Sequence, residues 1–160
     1  MAKLKIPATQ AIRVLKEHKI KFLPRPYKYE DKGGTKTSAR ELGVNEFQII
    51  KTLVMEDDQE QPLIILMHGS CEVSLKHLAR QLKVKQVTPC LPDNAERLTG
   101  YQTGGISPFG CKQPLPIYVE ESILKLEKIC INGGRRGLLV EIEPAAIVKI
   151  LTPTLVSVAI

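Results

Sequence analysis

Residues 99–110 read TGYQTGGISPFG and contain four of the chain's eleven glycines. A helix is disfavoured here because glycine costs about 1 kcal/mol at an interior helical position. A regular strand is disfavoured because Pro108 has no N–H group to donate to a neighbouring strand. We therefore predict a shaped loop, in which Gly104 and Gly105 adopt positive φ or let another molecule approach the backbone closely. A loop that binds a small polar ligand and a tight connection between two strands both remain open.

The composition around this loop is that of one globular domain. The chain has 160 residues, of which 43% are hydrophobic and 25% are charged, enough to build a substantial core. We expect a single domain over residues 1–160. No apolar run approaches the ~18 residues that cross a bilayer, and residues 1–7 lack the apolar segment of a signal peptide. We therefore expect a cytoplasmic protein that does not bind a membrane.

The four cysteines and three histidines do not form a metal-binding pattern. The cysteines are widely spaced, contain no CxxC pair and have no histidine at zinc-ligand spacing; they are Cys71, Cys90, Cys111 and Cys130. We expect reduced, partly buried thiols, as in most cytoplasmic proteins. We expect neither a metal nor a cofactor.

Positive charge is concentrated near the N-terminus. The net charge is +6, and the first 28 residues carry eight basic side chains against the single acidic residue Glu17. The basic residues are Lys3, Lys5, Arg13, Lys16, Lys19, Lys21, Arg25 and Lys28. Such asymmetry is typical of proteins that bind a polyanion such as a nucleic acid. A solvated helix face that only aids solubility is the alternative.

Lys51 stands inside an apolar run. Residues 49–55 are rich in β-branched and apolar side chains and predict a buried strand. A lysine in such a strand is costly to bury, and it needs either a route to solvent or an anionic partner. Lys51 is therefore a candidate ligand-binding residue, and a position at the solvent end of the strand is the alternative.

Capping residues and periodicity predict many short elements. We predict helices over residues 9–18, from 37 or 38 to 43, and over 74–82, 91–98 and 144–150. We predict strands over residues 21–29, 49–55, 63–67, 86–88, 116–120, 128–131, 138–142 and 155–158, with a tight turn at 132–137. Strands and helices do not alternate regularly, so the pattern indicates a mixed α/β (α+β) domain around one sheet or barrel.

Familiar catalytic motifs are missing from the sequence. No G-x-S-x-G surrounds Ser107, and neither glycine cluster ends in the Gly-Lys-Ser/Thr of a P-loop. No pairing of a nucleophile with a base can be nominated. An enzyme with this sequence must rely on positioning, on backbone donors or on groups of its own substrate.

Residues 99–110 resemble the signature loop of the YbaK/EbsC family of aminoacyl-tRNA editing domains. Three further segments agree with that family in the same order: residues 11–22 leading to Tyr27, residues 50–54 (IKTLV) and residues 133–138 (GGRRGL). The similarity covers nearly the whole chain. It is strongest to the free-standing branch that deacylates cysteinyl-tRNA(Pro), which prolyl-tRNA synthetase forms by charging the wrong amino acid. The resemblance implies a mixed, barrel-like β-sheet flanked by short helices.

The resemblance also implies a set of site residues. Lys51 corresponds to the essential lysine of the family, and Gly105 to the loop glycine that holds the terminal ribose and the scissile ester, so both are expected to be catalytic. The implied substrate-binding residues are Tyr27, Gly104, Ile106, Ser107, Pro108, Asn132, Gly133 and Gly134. This sequence departs from the branch at two positions. Asn132 replaces the usual serine and Leu139 replaces a frequent aspartate, which leaves the amino-acid specificity open.

In the family that this sequence resembles, the thiol of the substrate cysteine attacks its own ester, which would explain why no protein nucleophile is visible. The implied partner is aminoacyl-tRNA, contacted at the CCA end and the acceptor stem, and prolyl-tRNA synthetase is a further implied partner. Two alternatives stay open. One is a deacylase of the alanyl-tRNA(Pro) type that uses water, and the other is a non-catalytic accessory protein that binds aminoacyl-tRNA or a nucleotide.

Overall fold

The computed structural model describes residues 6–160, so Lys3 and Lys5 of the basic segment lie outside the described residues. It contains five α-helices and eight strands. The elements in chain order are α1 (Gln10–Glu17), β1 (Leu23–Pro26), α2 (Gly34–Leu42), β2 (Ile49–Asp57), β3 (Pro62–His68), α3 (Leu75–Leu82), β4 (Val87–Pro89), α4 (Pro92–Thr99), β5 (Ile117–Glu120), β6 (Ile129–Arg135), β7 (Leu138–Ile142), α5 (Ala145–Leu151) and β8 (Thr154–Val156). Short 3₁₀ turns occupy Glu46–Gln48 and Glu121–Lys125.

All eight strands belong to one mixed sheet with the order β1-β7-β6-β2-β3-β5-β8, and β4 pairs with β2 beside this path. The pairs β2–β6, β3–β5 and β5–β8 are parallel, and the other pairs are antiparallel. The predicted mixed α+β class, with short helices flanking one sheet, is confirmed. Among the described residues, the sheet stays open between β1 and β8.

Both faces of the sheet are covered by apolar side chains. Strand alternation sends Ile64 and Leu66 of β3 into a cluster shared with α1, α4 and α5, whereas Ile65 and Met67 enter a second cluster with α3. Phe109, from the glycine-rich loop, is completely buried in the first cluster. The loop is therefore built into the main core. No helix within residues 6–160 is long and apolar enough to cross a membrane.

Most predicted elements are confirmed to within three residues, but one helix start is wrong. Helix α2 begins at Gly34, earlier than the predicted cap at Thr37 or Ser38. The Thr37 N–H already donates to the Gly33 carbonyl, and its hydroxyl donates to Glu30. Thr37 and Ser38 are buried inside the helix. Their hydroxyls therefore donate hydrogen bonds to other groups of the protein and do not cap the start of the helix.

The predicted turn at residues 132–137 is also wrong in part. Strand β6 continues through it to Arg135, with an irregularity in its pairing with β7 between Asn132 and Arg135. The Asn132 side-chain oxygen accepts the N–H groups of Gly134 and Arg135. The glycine pair thus forms a β-bulge, and the turn shrinks to the two residues Arg136 and Gly137.

Strands β2 and β6 separate in the middle of the sheet. Their parallel pairing ends where Ile50 pairs with Ile131. Further along, β2 acquires a new neighbour on that edge, because Met55 pairs with Pro89 of β4. Residues 51–54 therefore have no paired strand on this edge. Crevices beyond the carboxyl ends of parallel strands are common ligand sites, and this opening positions the site described next.

Candidate active site

A cavity of about 410 Å³ occupies the opening between β2 and β6. Its lining comes from five places in the chain: the segment after β1, the start of α2, the first half of β2, the glycine loop and the β6–β7 hairpin. A volume of this size is typical of pockets for small organic ligands. The lining residues most used below are Tyr27, Lys51, Thr52, Gly104, Ile106, Asn132 and Leu139.

The glycine loop begins with a β-turn, which confirms the predicted loop. The Gly105 N–H donates to the Gln102 carbonyl at 2.8 Å, and Gly104 has a φ of 90°. A positive φ at the third residue is what a type II turn requires. Gly105 is needed for a different reason, since a Cβ there would lie 2.7 Å from the backbone nitrogen of Arg136. The second glycine therefore lets the loop rest directly on the β6–β7 hairpin.

Side chains tether this turn to its neighbours. Asn132 Nδ2 donates to the Gly104 carbonyl at 3.3 Å, and Arg136 Nε donates to the Thr103 carbonyl at 2.8 Å. On the opposite side, the Thr103 N–H donates to Glu96 Oε2 at 2.7 Å, and this hydrogen bond is the main reason that the pKa of Glu96 is lowered. Three polar side chains thus hold the cavity-facing turn in place.

The second half of the loop is fixed by burial. Ser107 and Phe109 are completely buried, and Ser107 Oγ accepts the Phe109 N–H at 3.2 Å. The Tyr101 hydroxyl donates to the Phe109 carbonyl at 2.5 Å. Burial raises the pKa of Tyr101 well above its usual value, so the hydroxyl remains a donor at neutral pH. This half of the loop closes upon itself inside the core.

Lys51 reaches from β2 along the cavity wall. Its ammonium group donates to the Cys71 carbonyl at 2.6 Å. The nearest carboxylate, Glu72, lies 4.0 Å away and its side chain is 84% exposed, so this ion pair is weak. The Lys51 side chain itself is 19% exposed. An ammonium group with a neutral partner and a weak ion pair is suited to receive an anionic or carbonyl group.

Thr52 is a site residue that the sequence did not single out. Its hydroxyl oxygen is buried and is the one buried side-chain polar atom without a hydrogen-bond partner within residues 6–160. The Ile49 carbonyl bonds toward β3, whereas the Val54 carbonyl bonds toward β4 through Cys90. Backbone groups two residues apart in a strand point to the same edge, so the Thr52 backbone faces away from β3, as Val54 does. On that edge no strand pairs with Thr52, because β6 ends its pairing at Ile50 and β4 begins its pairing at Met55. Threonine is so common in strands that its type carried no signal.

One part of the cavity lining is apolar. Ile49, Leu53 and Leu139 line it together with Tyr27. Leu139 is 4% exposed and packs with Ile49 and Cys130. Burial raises the pKa of Tyr27, so its phenol is neutral at physiological pH. This part of the cavity suits a small, uncharged side chain.

Comparison with known proteins matches this fold and sequence to one family. The family profile of the aminoacyl-tRNA editing domain matches residues 30–150. The chain belongs to the aminoacyl-tRNA editing domain family. The predicted resemblance to the YbaK/EbsC group is thereby confirmed.

Three relatives illustrate the range of this editing domain. The candidate Cys-tRNA(Pro)/Cys-tRNA(Cys) deacylase EbsC of Enterococcus faecalis is 32% identical over 143 residues, which cover 89% of this chain and 87% of EbsC. A proline–tRNA ligase of Limosilactobacillus fermentum is 26% identical over 62% of this chain, which is 18% of the ligase. The solved structure of a candidate trans-editing enzyme for prolyl-tRNA synthetase has the same fold, with a TM-score of 0.81, 22% identity, and coverage of 97% of this chain and 99% of that one.

Half of the residues expected from the family resemblance line the cavity of this editing domain. They are Tyr27, Lys51, Gly104, Ile106 and Asn132. The other half lie behind the lining, in the loop and the bulge: Gly105, Ser107, Pro108, Gly133 and Gly134. Gly133 accepts the hydroxyl proton of Thr9, and a Cβ on Gly134 would meet Tyr101. The structure thus brings five of the ten, which are distant in sequence, to one cavity, and the other five adjoin them in the glycine loop and the bulge.

Within residues 6–160, the cavity of the editing domain holds no catalytic pair that includes a histidine or a cysteine. Neither histidine nor cysteine is present among the described lining residues. The lining hydroxyls of Thr35 and Thr37 donate to the carboxylates of Glu46 and Glu30, and the Ser38 hydroxyl donates to the Thr35 carbonyl. All four cysteines are reduced, as predicted, and burial raises the pKa values of Cys111 and Cys130 to about 11. These two thiols are therefore neutral at physiological pH.

Proposed function

We propose that this editing domain clears mischarged tRNA(Pro) in trans, with cysteinyl-tRNA(Pro) as its main substrate. The similarity to EbsC and to a segment of a proline–tRNA ligase supports this assignment. The observation that carries it is the cavity itself, which combines Lys51 and Thr52 with a backbone loop and whose described lining contains no histidine or cysteine to serve as base or nucleophile. Such a cavity can position an ester that is already reactive.

Lys51, Thr52 and Gly104 would position that ester. The Lys51 ammonium group would hold the terminal phosphate or the aminoacyl group, and the unpartnered Thr52 hydroxyl would bond to the ribose or the ester. The Gly104 N–H has no hydrogen-bond partner within residues 6–160, whereas the Gly105 N–H is used in the turn. We therefore assign the oxyanion donor to Gly104 and the close packing of the loop to Gly105. One such donor is worth about 10²–10³ in rate.

The substrate would supply its own nucleophile. The cysteine sulfur bonds to its ester carbonyl carbon, and the bond from that carbon to the ribose oxygen breaks. The leaving oxygen receives the proton that the thiol loses, which frees the tRNA. The cysteine departs as a β-thiolactone that water opens to free cysteine. Holding the thiol near the carbonyl can contribute about 7–11 kcal/mol.

Discrimination would arise mainly in this chemical step. The apolar lining at Leu139 and Ile49 would accept small uncharged side chains without identifying them by hydrogen bonds. A difference of one methylene in such a wall is worth only about 1–3 kcal/mol. Serine matches cysteine in shape but carries a poorer nucleophile. The thiol, more than the fit, would therefore select cysteine.

The basic face of α1 would approach the acceptor stem. Helix α1 is capped by Thr9, whose hydroxyl donates to the Gly133 carbonyl in the bulge beside the cavity. Arg13, Lys16 and Lys19 are exposed along and just after this helix. Phosphate contacts of this kind bind without reading bases and weaken as salt rises. Binding to prolyl-tRNA synthetase is a further part of the proposal, supported by the similarity to the ligase segment.

A deacylation panel on a single tRNA(Pro) tests the proposal. Cysteinyl-, seryl-, alanyl- and prolyl-tRNA(Pro) are incubated with the purified protein, and the remaining esters are quantified over time. We expect the cysteinyl ester to be cleared fastest. Equal rates for the seryl and cysteinyl esters would contradict the thiol mechanism and indicate water as the nucleophile. Binding without turnover of any ester would indicate a non-catalytic accessory protein.

A further inference from the structure

A second cavity of about 320 Å³ lies directly behind the first. Tyr27, Tyr29 and Arg136 line both cavities, so the two cavities adjoin each other at these residues. The guanidinium carbon of Arg136 lies 5.2 Å from the centroid of the Tyr29 ring. A ligand that fills the first cavity could therefore continue past this stacked pair into the second, which we call the proline groove.

Prolines give this groove a flat, apolar wall. It is lined by Ile6, Pro7, Pro24 and Pro26, and Ile6 is 42% exposed at its rim. The Tyr27 N–H donates to Gly137 of the neighbouring hairpin, so by strand alternation the outward-pointing positions of β1 are Pro24 and Pro26. Neither proline has an N–H group. The edge therefore cannot donate to an added peptide strand, whereas its flat surface suits the face of a ring.

The remaining wall is positively charged. Arg135 and Arg136 line the groove, and no acidic residue is present among its described lining residues. The Arg135 side chain is exposed and makes no hydrogen bond or ion pair with residues 6–160. Arg136 is tied to the Thr103 carbonyl and to the Tyr29 ring. Arg135 is thus the arginine of the groove that is available to a phosphate.

We propose that the proline groove holds the nucleotide next to the terminal adenosine of the aminoacyl-tRNA. Its base would pack on the prolines and Ile6, and Arg135 would bind its phosphate. This inference rests on the proposed function, because it requires the terminal adenosine ester in the first cavity. Single-stranded nucleotides are typically bound in this way, by ring stacking combined with a basic groove.

Three small esters test the assignment: the 3′-cysteinyl esters of adenosine, of the dinucleotide CpA, and of a CpA analogue without the cytosine base. We expect kcat/KM of the wild-type protein to be about tenfold or more higher for the CpA ester than for the adenosine ester. The analogue without the base should lose most of this preference. Arg135→Gln and Ile6→Ser should each lower the ratio of the two kcat/KM values. Arg80→Gln and Leu91→Ser, at exposed positions elsewhere, should leave the ratio unchanged.

The ratio separates binding in the groove from general damage, because a misfolded variant loses activity on both esters alike. Equal kcat/KM for the adenosine and CpA esters would overturn the groove assignment alone. The assignment would also be overturned if the analogue without the base were cleaved with the same kcat/KM as the CpA ester. The protein would then bind only the phosphate and not the base. A wild-type protein that cleaves none of the three esters would contradict the proposed function as well.

Discussion

The two halves of the glycine loop differ in what holds them. Thr103, Gly104 and Ile106 border the cavity, and the turn at 102–105 is tethered by polar side chains of neighbouring elements. Ser107 and Phe109 are completely buried and are held by the core. One continuous motif therefore contains a ligand-facing half and a structural half. Substitutions in the two halves should separate activity from stability.

The largest effect is expected on the ligand-facing side, at Lys51→Ala. Loss of the ammonium group should lower kcat/KM for cysteinyl-tRNA(Pro) by about 10³-fold or more, because the ester is no longer positioned. The melting temperature should stay within a few degrees, since the Lys51 side chain bonds only to one carbonyl and one weak ion-pair partner. Turnover and thermal melts are measured together. Lys76→Ala, at an exposed position of α3, is the matched control. Full activity of a folded variant would show that Lys51 has no role in catalysis.

The next effect compares the two halves directly. Phe109→Ala should lower the free energy of unfolding by about 3–4 kcal/mol, because it leaves a cavity in the core. Ile106→Ala removes a half-buried side chain at the cavity wall, so it should cost roughly half as much and should mainly raise KM. Denaturant unfolding and deacylation kinetics give both quantities. Equal stability losses without a change in KM would show that the halves do not differ.

A smaller effect is expected at Thr52→Val, which keeps the shape of the side chain and removes its hydroxyl. The hydroxyl is buried without a partner, so its removal should raise the free energy of unfolding by ~1 kcal/mol. The same change should lower kcat/KM by about tenfold, since a hydrogen bond to the substrate would be worth ~1.4 kcal/mol. Thr154→Val, at an exposed position of β8, is the control. A loss of stability at Thr52 would indicate a structural role instead.

Local signals account for the parts of the fold that could be predicted. Thr9 and Ser74 cap α1 and α3, and Gly43 and Gly100 end α2 and α4 with positive φ, as their residue types indicate. These interactions involve residues within one or two turns of each other. The glycine loop could be predicted for the same reason. Its division into two halves could not, because burial depends on which distant elements cover each residue.

The parts of the site that could not be predicted depend on strand pairing over long distances. The opening between β2 and β6 exists because β2 changes its neighbouring strand, from β6 at Ile131 to β4 at Pro89. This change leaves the Thr52 backbone without a paired strand on that edge, and it opens the cavity that Lys51 lines. Asn132 was expected from the family resemblance, but its bond to Gly104 across 28 positions has no local signature. Glycine pairs favour turns, so the bulge in β6 was predicted as a turn.

The smallest effect concerns the tether that holds the ligand-facing half at Glu96. The hydrogen bond from the Thr103 N–H, the nearby Thr103 hydroxyl and the charge of Arg136 lower the pKa of Glu96. Because the pKa of Glu96 is lower in the folded protein than its unfolded value of about 4.3, ionised Glu96 stabilises the folded loop at pH values above that unfolded pKa. This stabilisation is lost as the pH falls through the lower, folded pKa. Above pH 5, Glu96→Gln should therefore raise KM only slightly, by about twofold or less, because Asn132 and Arg136 still hold the turn.

An NMR titration measures this tether without relying on turnover. The amide proton shift of Thr103 should titrate in the wild-type protein with a pKa below the usual glutamate value, and this transition should be missing in Glu96→Gln. Glu17→Gln, at an exposed position of α1, should keep it. The Phe109 amide, which donates to buried Ser107 Oγ, should not respond over the same pH range. A Thr103 shift that titrates in Glu96→Gln, or a Phe109 shift that follows it in the wild-type protein, would show that the two halves of the loop are held as one unit.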